Sequence, residues 1–230
     1  TTTADDTFNQ EDALEIQNKL AEITTLILAQ NGEEILIVQM DVQMEIAGLK
    51  DDHIDLKMPV WTPGSYLIRE FAKNVEGFEA LGSAGSALKV EKINKNTWRV
   101  NTQKNDHIKV SYRVYSFEIS VRTSFVDASH AFLSPTWLIL YPEGKIKLPS
   151  TITIKPYKTW TKISTGLEKA SGNVNTFYAP DFDILYDSPI EVGNQDIFEF
   201  EASGVKHEVA MYGGGNYNKD ILKRDMAKIV

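Results

Sequence analysis

Four histidines are the first residues to test for chemistry: His53, His107, His130 and His207. No two are four residues apart. His207-Glu208 opens like the zinc motif H-E-x-x-H, but the fifth position is Met211. The surrounding residues read as a strand, whereas that motif needs a helix to bring both imidazoles to one face. There is no cysteine, so thiolate catalysis, disulfides and Cys-based zinc sites are excluded. Ser124, Asp127 and His130 lie close in sequence, but catalytic triads draw on separate elements and no G-x-S-x-G elbow is present. The plain reading is a strand and turn whose polar side chains tie down a loop. Gly213-Gly214-Gly215 precedes a helical pattern but lacks the Lys-Ser/Thr of a phosphate loop, and reads as a strand-to-helix corner.

The densest segment is Met58-Pro-Val-Trp-Thr-Pro-Gly-Ser-Tyr-Leu-Ile-Arg-Glu-Phe71. Pro63-Gly64 suits a type II turn, with Pro setting φ and Gly taking the positive φ. Trp61, Tyr66 and Phe71 bring large apolar area, the Trp N–H and Tyr O–H can reach polar partners, and Arg69 can pair with a carboxylate. A corner of a sheet or a surface that meets another domain would each use these residues.

The elements that must position them are mostly strands. Asn31-Gly32 between Thr24–Gln30 and Glu33–Ile46 is a two-residue hairpin signal. Ile108 to Val114 alternates apolar and polar, the pattern of a half-buried strand. Further strands are expected over Ile54–Val60, Leu67–Ala80 with interruptions, Leu88–Ile93, Thr97–Asn101, Ile119–Val126, Thr136–Tyr141, Thr151–Lys155, Trp160–Ile163, Asn175–Tyr178, Ile197–Ala202 and Val205–Tyr212. Gly, Pro and Asn clusters punctuate them. The expected fold is mainly β and sandwich-like, with two helices. One is a short amphipathic helix over Gln10–Ile23. The other runs from Asn218, with Leu222, Met226, Ile229 and Val230 at helical spacing. An apolar stripe running to the last residue implies either a lost packing partner, and hence a fragment, or a terminal helix docked on its own sandwich.

The net charge of −8 includes −5 in residues 1–23, leaving −3 for the rest. No dense Lys/Arg face supports nucleic-acid binding, and no apolar run has the roughly 18 residues of a membrane span. The chain opens on Thr rather than Met, so its start has been trimmed, and its first residues lack the pattern of an intact signal peptide. The absence of cysteine suits periplasm, secretion or cytoplasm alike, the first two being slightly favoured.

Pro59-Val-Trp-Thr-Pro-Gly-Ser-Tyr66 with Arg69-Glu-Phe-Ala72 resembles the N-terminal domain of the glycyl aminopeptidase family of zinc metallopeptidases. So do Ser120-Val-Arg-Thr-Ser124, Tyr178-Ala-Pro-Asp-Phe-Asp183 and Asp187-Ser-Pro-Ile-Glu-Val-Gly-Asn194. Tyr212-Gly-x-Gly-Asn-Tyr and the following helix resemble the entrance to that family's catalytic domain. The likeness covers about residues 35–230 and excludes residues 1–23. It implies an N-terminal extension over 1–23, a β domain over 24–212 and the start of a catalytic domain over 213–230. It also implies a thermolysin-like zinc domain with H-E-x-x-H, commonly a PDZ domain, and removal of N-terminal Gly or Ala from peptides. No catalytic residue or metal site of that machinery is in this sequence, and this chain alone is expected to hold no cofactor and to be inactive. Trp61, Tyr66, Arg69 and Arg122 are the residues expected to meet the catalytic domain of the same polypeptide or to wall its substrate cleft. Two other readings compete: a free-standing β-sandwich module that binds peptides or carbohydrates, and an enzyme complete in 230 residues.

Overall fold

The computed structural model describes residues 15–230 apart from 21, 22, 31, 32, 66, 158 and 173, with side chains from residue 39 onward. The first strands are β1 (Glu15–Leu20), β2 (Ile23–Gln30), β3 (Glu33–Ala47) and β4 (His53–Lys57). A 3-10 turn at Phe71–Asn74 leads into β5 (Val75–Gly82), β6 (Val90–Asn94), β7 (Thr97–Asn101) and β8 (His107–Tyr115). Short strands β9 (Phe125–Val126) and β10 (Ala131–Leu133) precede helix α1 (Pro135–Leu138). Then come β11 (Tyr141–Pro142), β12 (Ser150–Ile154), β13 (Lys162–Thr165), β14 (Glu168–Lys169) and β15 (Thr176–Ala179). Helix α2 (Phe182–Tyr186), β16 (Ile190–Gly193), β17 (Asp196–Ala202), β18 (Val205–Met211) and α3 (Lys219–Ile229) complete the order.

The large sheet runs β14-β15-β12-β1-β3-β8-β5, with β2 also paired to β3. Its spine follows from period-two patterning. Met40, Val42, Met44 and Ile46 of β3 are buried and alternate with Asp41, Gln43 and Glu45. Ile108, Val110, Tyr112 and Val114 of β8 do the same, in a register that sets Val42 opposite Tyr112 and Ile46 opposite Ile108. Two four-stranded sheets, β11-β4-β7-β6 and β13-β16-β10-β9, send Leu56, Trp98, Val100, Leu133, Ile190 and Val192 into the same apolar core. The architecture is therefore mainly β and sandwich-like. The β17-β18 ribbon pairs only within itself among the described residues.

The expected hairpin closes with Gln30 opposite Glu33, the two-residue connection Asn31-Gly32 specifies. The helix expected over Gln10–Ile23 does not form in the described part of that segment. Glu15–Leu20 is a strand, parallel to β12 and antiparallel to β3. Ile16 and Leu20 stand four apart, which fits period two and period 3.6 equally, so pairing on both edges decides. The strand expected over Thr136–Tyr141 is instead α1 followed by extended chain. Residues 133–140 are buried throughout, so the run has no period to read, and Pro135 at the first helical position starts a turn. Of Ile119–Val126, Phe125–Val126 alone is strand; Ile119 and Val121 are each 82% exposed on a loop.

Across β4 and β7, Asp55 faces Arg99 and takes both its Nε and Nη2 hydrogen bonds at 2.7 Å. These bonds hold the Asp55 carboxyl below its ordinary pKa. A carboxylate with a depressed folded pKa adds stability above its unfolded value and loses it as pH falls through the folded one. Asp55→Asn is therefore expected to be less stable than wild type at pH 7, with the gap closing below about pH 4. Paired urea titrations at the two pH values measure this. A gap that persists at acid pH would mean that something other than the charge is lost.

Candidate functional site

The chain leaves β4 and forms a closed loop over residues 60–69. Ser65 N–H donates to the Thr62 carbonyl at 3.0 Å, and Arg69 N–H donates to the Val60 carbonyl at 2.7 Å. Pro63 and Gly64 occupy the turn, and Gly64 has φ +72° with open space where a Cβ would sit. The requirement there is backbone conformation rather than room. Trp61 is half-buried; its ring meets Tyr186 edge-on at 5.7 Å. Tyr186 is buried in α2, and its hydroxyl donates to the Ile139 carbonyl at 3.1 Å. Trp61 is thus a wall of the core as well as a lining residue of a surface depression shared with Leu67 and Ile68. Tyr66 lies outside the described residues.

A second loop stands beside the first. Phe117 stacks on Phe125 at 5.0 Å, and Thr123 Oγ1 donates to the Glu118 carbonyl at 2.5 Å. Ser120 Oγ accepts from Arg122 N–H at 3.1 Å and pairs with Thr123 Oγ1 at 2.9 Å. This turn holds Arg122 at its exposed tip. Arg69 is partly buried, donates from Nη2 to Ser65 Oγ at 2.8 Å, and keeps a buried Nε with no hydrogen-bond acceptor. Arg69 and Arg122 line one open cleft of about 310 Å³, together with Glu70, Lys73, Glu118 and Trp137. The structure therefore brings these two arginines to one cleft and sets Trp61 on the same loop as Arg69.

Several residues of this region escaped the sequence reading. Leu67 and Ile68 are 67% and 84% exposed, and with Ile119 and Val121 they make an apolar rim on both loops. Ile119–Val126 carries a strand-like pattern in sequence, but Ile119 and Val121 stand on a loop. Trp137, in the run that has no period, supplies the cleft floor; its Nε1–H donates to the Tyr115 carbonyl at 3.0 Å.

The Ser124–Asp127–His130 grouping forms no relay. Ser124 Oγ accepts from Ser134 N–H at 3.0 Å, and Asp127 Oδ1 accepts from Ser129 N–H and His130 N–H. His130 turns its Nδ1 to Glu191 Oε1 at 2.7 Å and stacks its ring on Tyr212 at 3.4 Å. Burial pushes the Glu191 carboxyl above its ordinary pKa. Tyr212 also meets Ser129 Oγ at 2.5 Å, so this cluster fastens the end of β18 to the body of the sandwich. Beyond it, Gly213, Gly214 and Gly215 all have positive φ and turn the chain into α3. Asn218 caps that helix, its side chain accepting from Asp220 and Ile221 N–H. Tyr217 and Lys219 both bond Asp196 of β17, and no residue of α3 is buried.

Residues for zinc do not converge here. Among the described residues no group of three or more His, Asp or Glu side chains could hold a metal ion. His207 lies on β18 opposite Phe200, and its Nδ1 meets the Val205 carbonyl within that strand. No described helix is long and apolar enough to cross a membrane.

Comparison with known proteins places the segments just described. The family model for the peptidase M61 N-terminal domain matches residues 34–194. No match was found among curated proteins. The structure is similar to an aminopeptidase N family protein from Idiomarina loihiensis, with TM-score 0.80 and 30% identity over 93% of this chain. This chain spans 35% of that protein's length. A looser likeness, TM-score 0.41 at 9% identity, is to aminopeptidase A of Legionella pneumophila, over 89% of this chain and 24% of that one. With the matched region running from β3 through β16 and including both loops that carry Trp61, Arg69 and Arg122, this chain belongs to the peptidase M61 N-terminal domain family.

Proposed function

We propose that this chain is the non-catalytic N-terminal domain of a zinc-dependent aminopeptidase that removes N-terminal Gly or Ala from peptides. In this reading residues 24–212 are the β domain, to whose sheet the 1–23 extension adds β1, and residues 213–230 begin the catalytic domain. Zinc and the general base belong to that second domain, where zinc would polarise the scissile carbonyl and activate water. The β domain packs against it, and Trp61, Tyr66, Arg69 and Arg122 help form the cleft between them.

The observation that carries the reading is the apolar rim. Leu67, Ile68, Ile119 and Val121 are 67–84% exposed on two adjacent loops, beside a cleft that holds two arginines. Isolated exposed apolar residues are common, but four on the two loops that line one cleft, Ile68 in its wall, support an interaction surface there. Support also comes from the length relation, since the similar Idiomarina protein is much longer than this chain. The unburied face of α3 gives a second place of contact.

The test joins this chain to the polypeptide encoded downstream of codon 230. That polypeptide is expected to carry H-E-x-x-H and to bind this chain at micromolar affinity or better. Hydrolysis of glycyl and alanyl chromogenic substrates is expected to need both parts and zinc. Ile68→Asp together with Ile119→Asp should weaken the association about 30-fold, because two charges would be buried without partners. Unchanged affinity in that variant, or turnover by this chain alone, would reject the proposal.

A further inference from the structure

We infer that the cleft between the 60–70 and 117–124 loops is a carboxylate site, built to take the C-terminus of a short peptide between Arg69 and Arg122. The choice of a peptide rests on the aminopeptidase reading above; the anion site stands on geometry alone.

Three cations line the cleft: Arg69, Lys73 and Arg122. None of them forms an ion pair among the described residues, although the chain has 32 acidic side chains against 24 basic ones. Elsewhere cations find partners readily, as Lys57 does with Glu143 and Lys147 with Asp181 and Asp183. Of the two carboxylates on the wall, Glu70 is turned to Lys95 at 3.3 Å. An excess of unpaired positive charge around one concavity attracts an anion.

Arg69 adds a more specific signal. Its Nε is a buried donor with no acceptor, and a turn of the guanidinium that brings this edge to an incoming oxygen would satisfy it. Arg99 in the same chain shows what that edge of a guanidinium does beside a carboxylate, bonding Asp55 through Nε and Nη2. Exchange of the Ser65 bond for a ligand oxygen would offer the same fork from Arg69. Arg122, on a turn held by Ser120 and Thr123, supplies the second cation from the other loop.

The surroundings select the class of anion. Glu70 and Glu118 on the wall oppose a multiply charged phosphate but tolerate a single carboxylate. Ile68, exposed on the cleft wall, and the buried Trp137 at its floor give an apolar side chain of a peptide something to lie on. A volume of about 310 Å³ is enough for the last few residues of a chain.

Calorimetric titration of the whole chain with Gly-Ala-Leu, its C-terminal amide, N-acetyl-aspartate amide and inorganic phosphate tests the inference. The free acid is expected to bind about tenfold more tightly than the amide. Arg122→Gln should lower affinity for the acid about tenfold, and being exposed it leaves the fold intact. In the wild type the Arg69 Nε–H resonance should shift on adding the acid and stay still on adding the amide. Equal binding of acid and amide, or affinity unmoved by Arg122→Gln, would overturn the site. Phosphate binding more tightly than the tripeptide would overturn the choice of anion. N-acetyl-aspartate amide binding as tightly as the tripeptide would overturn the peptide terminus and assign the cleft to an acidic side chain. The titration uses this chain by itself, so its failure leaves the docking proposal standing, and loss of docking with carboxylate-dependent binding retained would sink that proposal instead.

Discussion

Tyr112→Phe is expected to destabilise the chain by about 2–4 kcal/mol, measured as the shift in urea midpoint at constant slope. Tyr112 is fully buried at the centre of β8. Its hydroxyl donates to the Leu138 carbonyl at 2.8 Å and accepts from Leu140 N–H at 3.3 Å. The segment it serves, 133–140, is buried along its whole length and leaves regular structure at Ile139. Backbone groups there have no ladder, so a side-chain oxygen takes the place of a neighbouring strand. Removing one oxygen strands a donor and an acceptor together, and each buried orphan costs about 1–3 kcal/mol. Burial also pushes the phenol far above its ordinary pKa, so the group stays a donor at any working pH. Tyr186→Phe is the internal comparison. That hydroxyl serves one carbonyl, Ile139, so its loss should be about half as large. A Tyr112→Phe penalty no greater than that of Tyr186→Phe would show that water or a shift in the backbone replaces the lost bonds. The effect reaches the arginine cleft through Trp137, which lies one residue before Leu138 and lines that cleft.

Where a segment had one wet face and one dry face, its sequence announced it. Thr97–Asn101 has the same bounds in sequence and structure, the strand over Glu33–Ile46 was legible from the hairpin signal before it, and β8 was legible from alternation over Ile108 to Val114. Turn chemistry was equally plain at Asn31-Gly32 and Pro63-Gly64, because each position needs a residue type that few others can supply, whereas the cap of α3 could have been Asn216 or Asn218 and is Asn218. Legibility failed where burial was symmetric or absent. Residues 133–140 are enclosed on all sides, so α1 left no periodic trace. Ile119 and Val121 alternate like a strand but face solvent, because alternation records chemistry and not what covers it. The β1 strand sits between β12 and β3, a pairing across more than a hundred residues that no local window contains. The cleft was half legible. Arg69 and Arg122 could be named from the segments that carried the family likeness, but their meeting at one concavity depends on loops 50 residues apart in the chain, and Trp137 beneath them was invisible.

Phe182→Ala should have the largest effect of any single change considered, about 3–5 kcal/mol. The Tyr178-Ala-Pro-Asp-Phe-Asp183 stretch carries part of the family likeness, and its folded form explains these residue types. Asp181 caps α2, its Oδ1 accepting from Ile184 N–H at 2.8 Å. Phe182 then enters the core with no exposure, its N–H donating to the Ile146 carbonyl at 2.9 Å. Its ring lies 5.7 Å from Tyr186 and 6.3 Å from Tyr141, and Trp61 stands against the same Tyr186 at 5.7 Å. Truncation therefore opens a cavity under the ring on which Trp61 leans, and the walls of a dense core close such a cavity only in part. Phe182→Leu keeps most of the volume and should cost about 1–1.5 kcal/mol. The pair of variants separates stability from positioning. With fluorotryptophan incorporated, the Trp61 resonance should move in the alanine variant at temperatures where the chain is still folded, and stay near its wild-type position in the leucine variant. A penalty below about 1 kcal/mol for Phe182→Ala would mean that α2 is not part of the same cooperative core. A large penalty with an unmoved Trp61 signal would mean that the 60–69 loop holds its tryptophan without help from α2, and the two hydrogen bonds that close that loop would then be the place to look for its rigidity.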